Sequence, residues 1–227
     1  MSNQSQLLKA NKDLLNYKLS IQNFGNVSLR MKNYFLIKPS GIDLNKIKSE
    51  ELSKVSIKNN FNFNNKYKPS SDTATHKKLY QCFEEIGSIV HTHSLYATAW
   101  SQACKPIPCL GTTHADFFIK EIPVTNKLNK EEVKKNYEHN TALSIIKKLQ
   151  KLKLKPLQCP GILVANHGPF SWGKDLNHAM KNAESLEYIA RLAFLTLNIN
   201  PKTLSVKKYL QDKHFERKNG RKAYYGQ

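Results

Sequence analysis

Residues 87–94 read GSIVHTHS, and the reading of this octet decides the fold. An apolar run of this length, opened by Gly87 and closed by polar residues, predicts a buried strand. Strand side chains alternate in direction, so the imidazoles of His91 and His93, separated only by Thr92, point to the same side. That geometry suits two ligands on one metal.

The elements around the octet follow from periodicity. Upstream, Ser71 and Asp72 precede TATHKKLYQCFEEI, in which Leu79, Cys82 and Phe83 share one face, predicting a helix capped at the serine or the aspartate. Earlier still, NVSLRM and YFLIKP, between Asn26 and Pro39, read as a β-hairpin bracketed by turns at Gly25 and Gly41. LSKVSI is a further strand, and the polar stretch Lys58 to Lys68 reads as an exposed loop. Leucines at 7, 8, 14 and 15 predict an amphipathic opening helix. Downstream, NKEEVKKNYEHNTALSIIKKLQKL sets Val133, Tyr137, Ile145 and Leu149 at helical spacing, and Pro160 and Gly161 introduce the strand ILVAN. A helix from about Asp175 to Leu197 buries Ala179, Ala183, Leu186, Ala190 and Phe194, and a last short helix runs from Pro201 to Lys213. No repeat or linker divides residues 1–227, so a single domain is expected, with a sheet covered by helices.

Composition narrows the function classes. The chain has 227 residues, 40% of them hydrophobic, enough to bury a sizeable core. Its N-terminal twenty residues carry scattered charges, and nowhere do roughly 18 apolar residues run together, so a cytoplasmic protein without membrane spans is expected. Cys82, Cys104, Cys109 and Cys159 lack C-x-x-C spacing and read as reduced core thiols. A net charge of +19 raises nucleic-acid binding as a main role. Almost all of that charge is dispersed lysine, however, and only Arg30, Arg191, Arg217 and Arg221 offer the fork that reads phosphate and guanine. An overall basic field is better suited to drawing in a small anionic substrate.

A third histidine, His167, ends the apolar run LVANHGPF, with Gly168 and Pro169 turning the chain beyond it. Brought beside His91 and His93 it completes a three-histidine set with a coordination position left open, as a catalytic zinc requires. The alternative for each histidine is an ordinary polar residue at a strand end. Asp72 either lies beside the metal or caps its helix, and spacing alone favours the cap. The turns KPSG (38–41) and PSSDT (69–73) are rich in hydroxyls and amides, and beside a helix N-terminus they suit a phosphate. Asp116 in GTTHADFF sits among small and aromatic residues, a setting for proton transfer or for a capping carboxylate. His114 is open between a structural and a functional role, and so are Tyr224 and Tyr225.

Taken together, GNVS, IKPSG, KPSSDTATH, IVHTHS, GTTHADFF, NHGPFSWGK, DKH and KAYYGQ resemble the class II aldolase family, in its order, from about residue 7 to Gln227. The resemblance is strongest to the family's sugar-phosphate epimerases. It implies an α/β/α domain with a mostly antiparallel central sheet, in a cyclic homotetramer with active sites between adjacent subunits. It implies Zn2+ held by His91, His93 and His167, with Asp72 on or next to the metal. Gly25, Asn26, Ser40, Gly41, Ser70 and Ser71 become the substrate and phosphate cradle, with Lys38 close by. Asp116 and Tyr225 become an acid/base pair from the neighbouring subunit, supported from that side by Thr112, Glu138 and His214. The implied reaction is retro-aldol cleavage, rotation of the aldehyde and re-addition. An aldolase of the same fold that releases its fragments is the nearest rival, but such enzymes carry Glu where Asp72 stands. A basic binding module that has kept the fold is a further reading, opposed by the intact ligand and acid/base positions. Ala165 and Asn166 depart from the pattern, which places another histidine before His167.

Overall fold

The computed structural model describes residues 2–59, 66–220 and 223–225. Residues 60–65, within the polar loop, lie outside the described residues, as do 1 and 221 and, within the terminal motif, 222, 226 and 227.

Six strands form one sheet in the order β3-β2-β1-β4-β6-β5, every neighbouring pair antiparallel. They are β1 (Asn26–Arg30), β2 (Tyr34–Ile37), β3 (Ser53–Ser56), β4 (Ser88–His91), β5 (Gly161–Leu163) and β6 (Pro169–Gly173). The octet is therefore a central strand, with β1 on one side and β6 on the other. Alternation sorts its residues to two cores. Val90 joins Val27 and Leu36 against the opening helix α1 (Asn3–Asn16) and the first half of α6 (Leu176–Ile199). Ile89 joins Phe35, Ile37, Phe170 and Trp172 in the larger cluster, which takes in α2 (Thr73–Cys82) and α5 (Lys130–Lys151). His91 shares the direction of Ile89, so it points toward the α2 side.

Between β4 and α5 lie α3 (Leu95–Gln102) and the single-turn α4 (Thr112–Ala115); α7 (Lys208–Asn219) closes the chain. The amphipathic α1 begins at Ser2, whose hydroxyl accepts from the Ser5 amide at 3.2 Å, the side-chain cap that satisfies an orphan helix N–H. No helix among the described residues is long and apolar enough to cross a membrane.

Several expectations need correction. The strand expected over ILVAN stops at Leu163, and residues 164–168 form the tight turn into β6, closed by a bond from the Val164 amide to the Gly168 carbonyl at 3.0 Å. The last helix begins at Lys208 instead of Pro201. Phe194 is 47% exposed, because Ala193 takes the buried position at the end of the α6 stripe. Only Cys109 and Cys159 are buried core thiols; Cys82 is exposed and Cys104 half-buried.

Candidate active site

His91 is the last residue of β4, 1% exposed, and its environment leaves it one orientation. Its ring stacks on Phe170 at 4.1 Å, and Nδ1 faces the Pro169 carbonyl at 3.0 Å. A carbonyl can only accept, so Nδ1 carries the proton and Nε2 presents a lone pair. That Nε2 lies 3.2 Å from Nε2 of His93, two residues beyond the strand end on the same side. His167 arrives from the β5–β6 turn, where Asn166 adopts φ 60°, a left-handed conformation that asparagine tolerates. The three ring centroids lie 4.7 to 5.2 Å apart, and one ligand atom from each comes within 4.8 Å of the others.

Two glycines allow this convergence. A Cβ on Gly25 would stand 2.7 Å from the His91 carbonyl, and one on Gly168 would stand 2.7 Å from the Thr92 carbonyl. The loops before β1 and after His167 thus press directly on the backbone that carries the first two histidines. Gly25 also has φ 73°. Gly25→Ala is therefore expected to cost about 2 kcal/mol, lowering the thermal midpoint by roughly 4–8 °C. Differential scanning calorimetry checks this, and an unchanged midpoint would remove the close approach from the argument.

Asp72 stands at the N-cap position of α2, yet its side chain makes no capping bond, contrary to what spacing favours. Instead Oδ2 accepts from Asn26 Nδ2 at 2.7 Å and lies 4.0 Å from His91 Nε2. Burial pushes the Asp72 pKa up, but His91, His76, the Asn26 bond and His167 outweigh it and leave the group below the usual carboxylate value. The histidines move down. Burial dominates for all three, with neighbouring histidines adding to it, and His167 falls to about 4.

The cavity in front of the histidines measures about 370 Å3, and its floor is Asp72 with the three imidazoles. One wall is made by the two hydroxyl-rich turns, Lys38, Ser40 and Gly41 from one and Ser70 and Ser71 from the other. Those turns are paired: Pro39 bridges Pro69, the Ser40 amide bonds the Lys68 carbonyl at 2.9 Å, and the Ser70 amide bonds the Lys38 carbonyl at 3.1 Å. They sit at the N-terminus of α2, so backbone N–H groups and the helix dipole favour an anion there. Lys38 is buried beside them, its Nζ donating to the Asn23 carbonyl at 3.1 Å. Burial lowers its pKa, and Asp72 opposes that shift. Gly25 and Asn26 form the rim, and Asn26, 2% exposed, has an Oδ1 with no partner among the described residues.

Glu138 lines this same cavity, so it stands with the histidines of its own chain and apart from the Asp116 group with which the resemblance placed it. Tyr137 beside it stands out in the sequence only by its helical spacing, and Phe24 and Asn23 carry no sequence signal; all three line the cavity.

Asp116 is at the C-terminus of α4, which opens at Thr112, and none of Asp116, Thr112, His214 and Tyr225 lines the histidine cavity. They belong to a second constellation. Arg217 of α7 donates to both Asp116 oxygens, Nε at 3.0 Å and Nη2 at 2.9 Å, while His214 Nδ1 lies 3.2 Å from Oδ1. The expected small and aromatic surroundings thus include a guanidinium fork. Arg217 also covers the Tyr225 ring at 4.1 Å, and its carbonyl accepts from the Tyr225 amide at 3.1 Å. Tyr225 itself is 49% exposed. His114 is structural in its contacts: it is buried, with Nε2 on the Lys120 carbonyl at 2.8 Å.

The model of the family described as class II aldolase and adducin N-terminal domain matches residues 5–194. The L-ribulose-5-phosphate 4-epimerase UlaF of Salmonella paratyphi B is 46% identical over 98% of this chain and 97% of its own, and the enzyme of that name from Salmonella typhi is equally similar. Among solved structures, an L-fuculose 1-phosphate aldolase superposes with a TM-score of 0.79 at 25% identity, over 96% of this chain and 97% of that one. The L-fuculose-1-phosphate aldolase of Thermus thermophilus, at 20% identity and a TM-score of 0.69, covers 87% of this chain and 96% of its own, and shares the fold. With that match across most of its length, and with histidines, paired turns and antiparallel sheet in the arrangement described above, the chain belongs to the class II aldolase family.

Proposed function

We propose that the chain is a zinc-dependent epimerase that interconverts L-ribulose 5-phosphate and D-xylulose 5-phosphate. The observation that carries this reading is one cavity with three convergent imidazoles at its floor and paired serine turns on its wall. The 46% identity to enzymes named for that reaction supports it along the whole chain. The donor set fits a metal on its own chemistry. His91 presents an Nε2 lone pair 3.2 Å from His93 Nε2, a separation that lets both nitrogens reach one cation. Three neutral nitrogen donors with an open fourth position suit Zn2+, and Asp72 stands close enough to complete or adjust the set. Bound there, the metal supplies Lewis-acid polarisation of the substrate carbonyl.

The chain's own groups account for the remaining steps. Ser40, Gly41, Ser70 and Ser71 grip the phosphate at the α2 N-terminus, with Lys38 adding a buried positive charge. Asn26 Oδ1, unpaired among the described residues, accepts from a substrate hydroxyl. Of Asp116 and Tyr225, one takes the proton of the C4 hydroxyl as the C3–C4 bond breaks and its electrons pass to the carbonyl. The phosphate grip retains the aldehyde while it rotates. When the bond re-forms on the other face, the second group returns a proton to the new alkoxide, and C4 is inverted. Asp116 and Tyr225 lie outside the cavity of their own chain, which favours a cyclic homotetramer in which they, with Thr112 and His214, face the histidines of a neighbour.

Zinc-loaded protein given L-ribulose 5-phosphate is expected to produce D-xylulose 5-phosphate, read by a coupled assay. Accumulation of free dihydroxyacetone and glycolaldehyde phosphate would make it an aldolase instead. Absence of turnover at full metal occupancy would overturn the epimerase reading.

A further inference from the structure

We infer that Tyr137 is a positioning residue that fixes the ring and tautomer of His167, and that the break in α5 at Asn136 exists to place it. This rests on the metal reading above. Tyr137 Oη lies 3.0 Å from His167 Nδ1, bridging thirty residues of sequence. His91 has its outward nitrogen fixed by the Pro169 carbonyl, and His167, carried on a tight turn with Asn166 at φ 60°, has its Nδ1 held by this phenol. If Nε2 faces the metal, Nδ1 of the neutral ring carries the proton and the phenol oxygen accepts it. Outer partners of this kind set ligand orientation and basicity.

The backbone supports the same role. Asn136 has φ −167° and ψ 77°, which breaks the helix between its first turns and Tyr137. The interruption is closed by specific bonds. Asn140 Nδ2 donates to the Glu132 carbonyl at 2.7 Å across the break, and Thr141 Oγ1 donates to the Tyr137 carbonyl at 2.9 Å. From α2, the buried Thr75 donates to the Glu138 carbonyl at 2.7 Å. A helix kink has an identifiable cause; here there is no proline, and side chains on both flanks and from a neighbouring helix hold the broken form. Its result is to reset the direction in which the helix restarts, and the first two residues after the break, Tyr137 and Glu138, both line the histidine cavity.

The test is zinc affinity of Tyr137→Phe, measured by competition with a chromophoric chelator on metal-stripped protein, beside wild type. The variant keeps the ring and loses only the oxygen, and its metal-free thermal midpoint is expected to match wild type. Zinc affinity is expected to fall about 10- to 100-fold. Unchanged affinity in the variant, with stoichiometric zinc in wild type, overturns the inference. So does a large loss of kcat at full occupancy with zinc affinity unchanged, which would make Tyr137 a catalytic residue. Wild-type protein that binds no zinc would instead bring down the metal reading itself, so the two failures are distinguishable.

Discussion

Two variants that are each inactive, His91→Ala and Tyr225→Phe, are expected to regain about a quarter of wild-type activity when co-expressed in equal amounts. Removing His91 takes one of the three donors from the proposed metal site and strips the ring stacked on Phe170. A Lewis acid is worth several kcal/mol to such a transition state, so turnover should drop by about 1,000-fold or more. Tyr225→Phe removes one of the two proposed proton carriers and should leave zinc content untouched. In a ring with sites between adjacent subunits, a site works when its histidine half comes from a Tyr225 variant chain and its tyrosine half from a His91 variant chain. Random assembly gives that combination in about one site of four. The measurement is specific activity of the mixed oligomer against each homogeneous variant. If activity never exceeds the sum of the two separate variants, histidines and tyrosine do not meet across an interface, and the shared-site reading fails.

The reasons why some of this was legible in sequence and some was not are physical. Strand alternation is a rule of period two, so GSIVHTHS alone placed His91 and His93 on one side, and the structure keeps that placement although only His91 lies within the strand. The two hydroxyl-rich turns were visible as separate signals. Their pairing through Pro39 and Pro69 was not, because two short turns thirty residues apart carry no local mark of contact. Asp72 shows how a local rule gives way: a carboxylate before a helix reads as a cap, but Asn26 from β1 draws it toward His91. Tyr137 was hidden by its own regularity. It fits the helical period of α5, and the break that turns it toward His167 is held by contacts from α2 that no window of sequence contains. Arg217 is legible by its rarity. In a chain whose positive charge is nearly all lysine, an arginine can mark a place where the planar fork matters. Arg217 grips both oxygens of Asp116, and Arg30 binds the carbonyls of Tyr80, Phe83 and Ile86.

The second large effect is acid unfolding, driven by two buried histidines outside the convergent trio, His76 and His114. His76 is completely buried, with Nδ1 on Ser28 Oγ at 2.7 Å, Ser28 in turn on Tyr80 Oη at 2.8 Å, and no partner for Nε2 among the described residues. Burial pushes its pKa down to about 3. His114 has a partner for Nε2 but none among the described residues for Nδ1, and burial pushes it down to about 4. In the unfolded chain both take up a proton near pH 6.5. Between that value and 3 to 4 the unfolded state binds more protons, so stability is fully present above pH 6.5 and is lost as pH falls through that window. The two groups together remove about 5 kcal/mol by pH 4.5, a large part of the roughly 5–15 kcal/mol that holds a typical domain together. Cooperative unfolding is therefore expected between about pH 4 and 5, and metal-free His91, His93 and His167 act in the same direction because their pKa values are also lowered. Urea unfolding followed by circular dichroism at a series of pH values between 7 and 5 gives the slope. His114→Gln keeps a donor for the Lys120 carbonyl but cannot titrate, so about half of the slope due to this pair should vanish in that variant. A free energy that stays flat from pH 7 to 5 would mean that these histidines are reached by solvent and protonated in the native state.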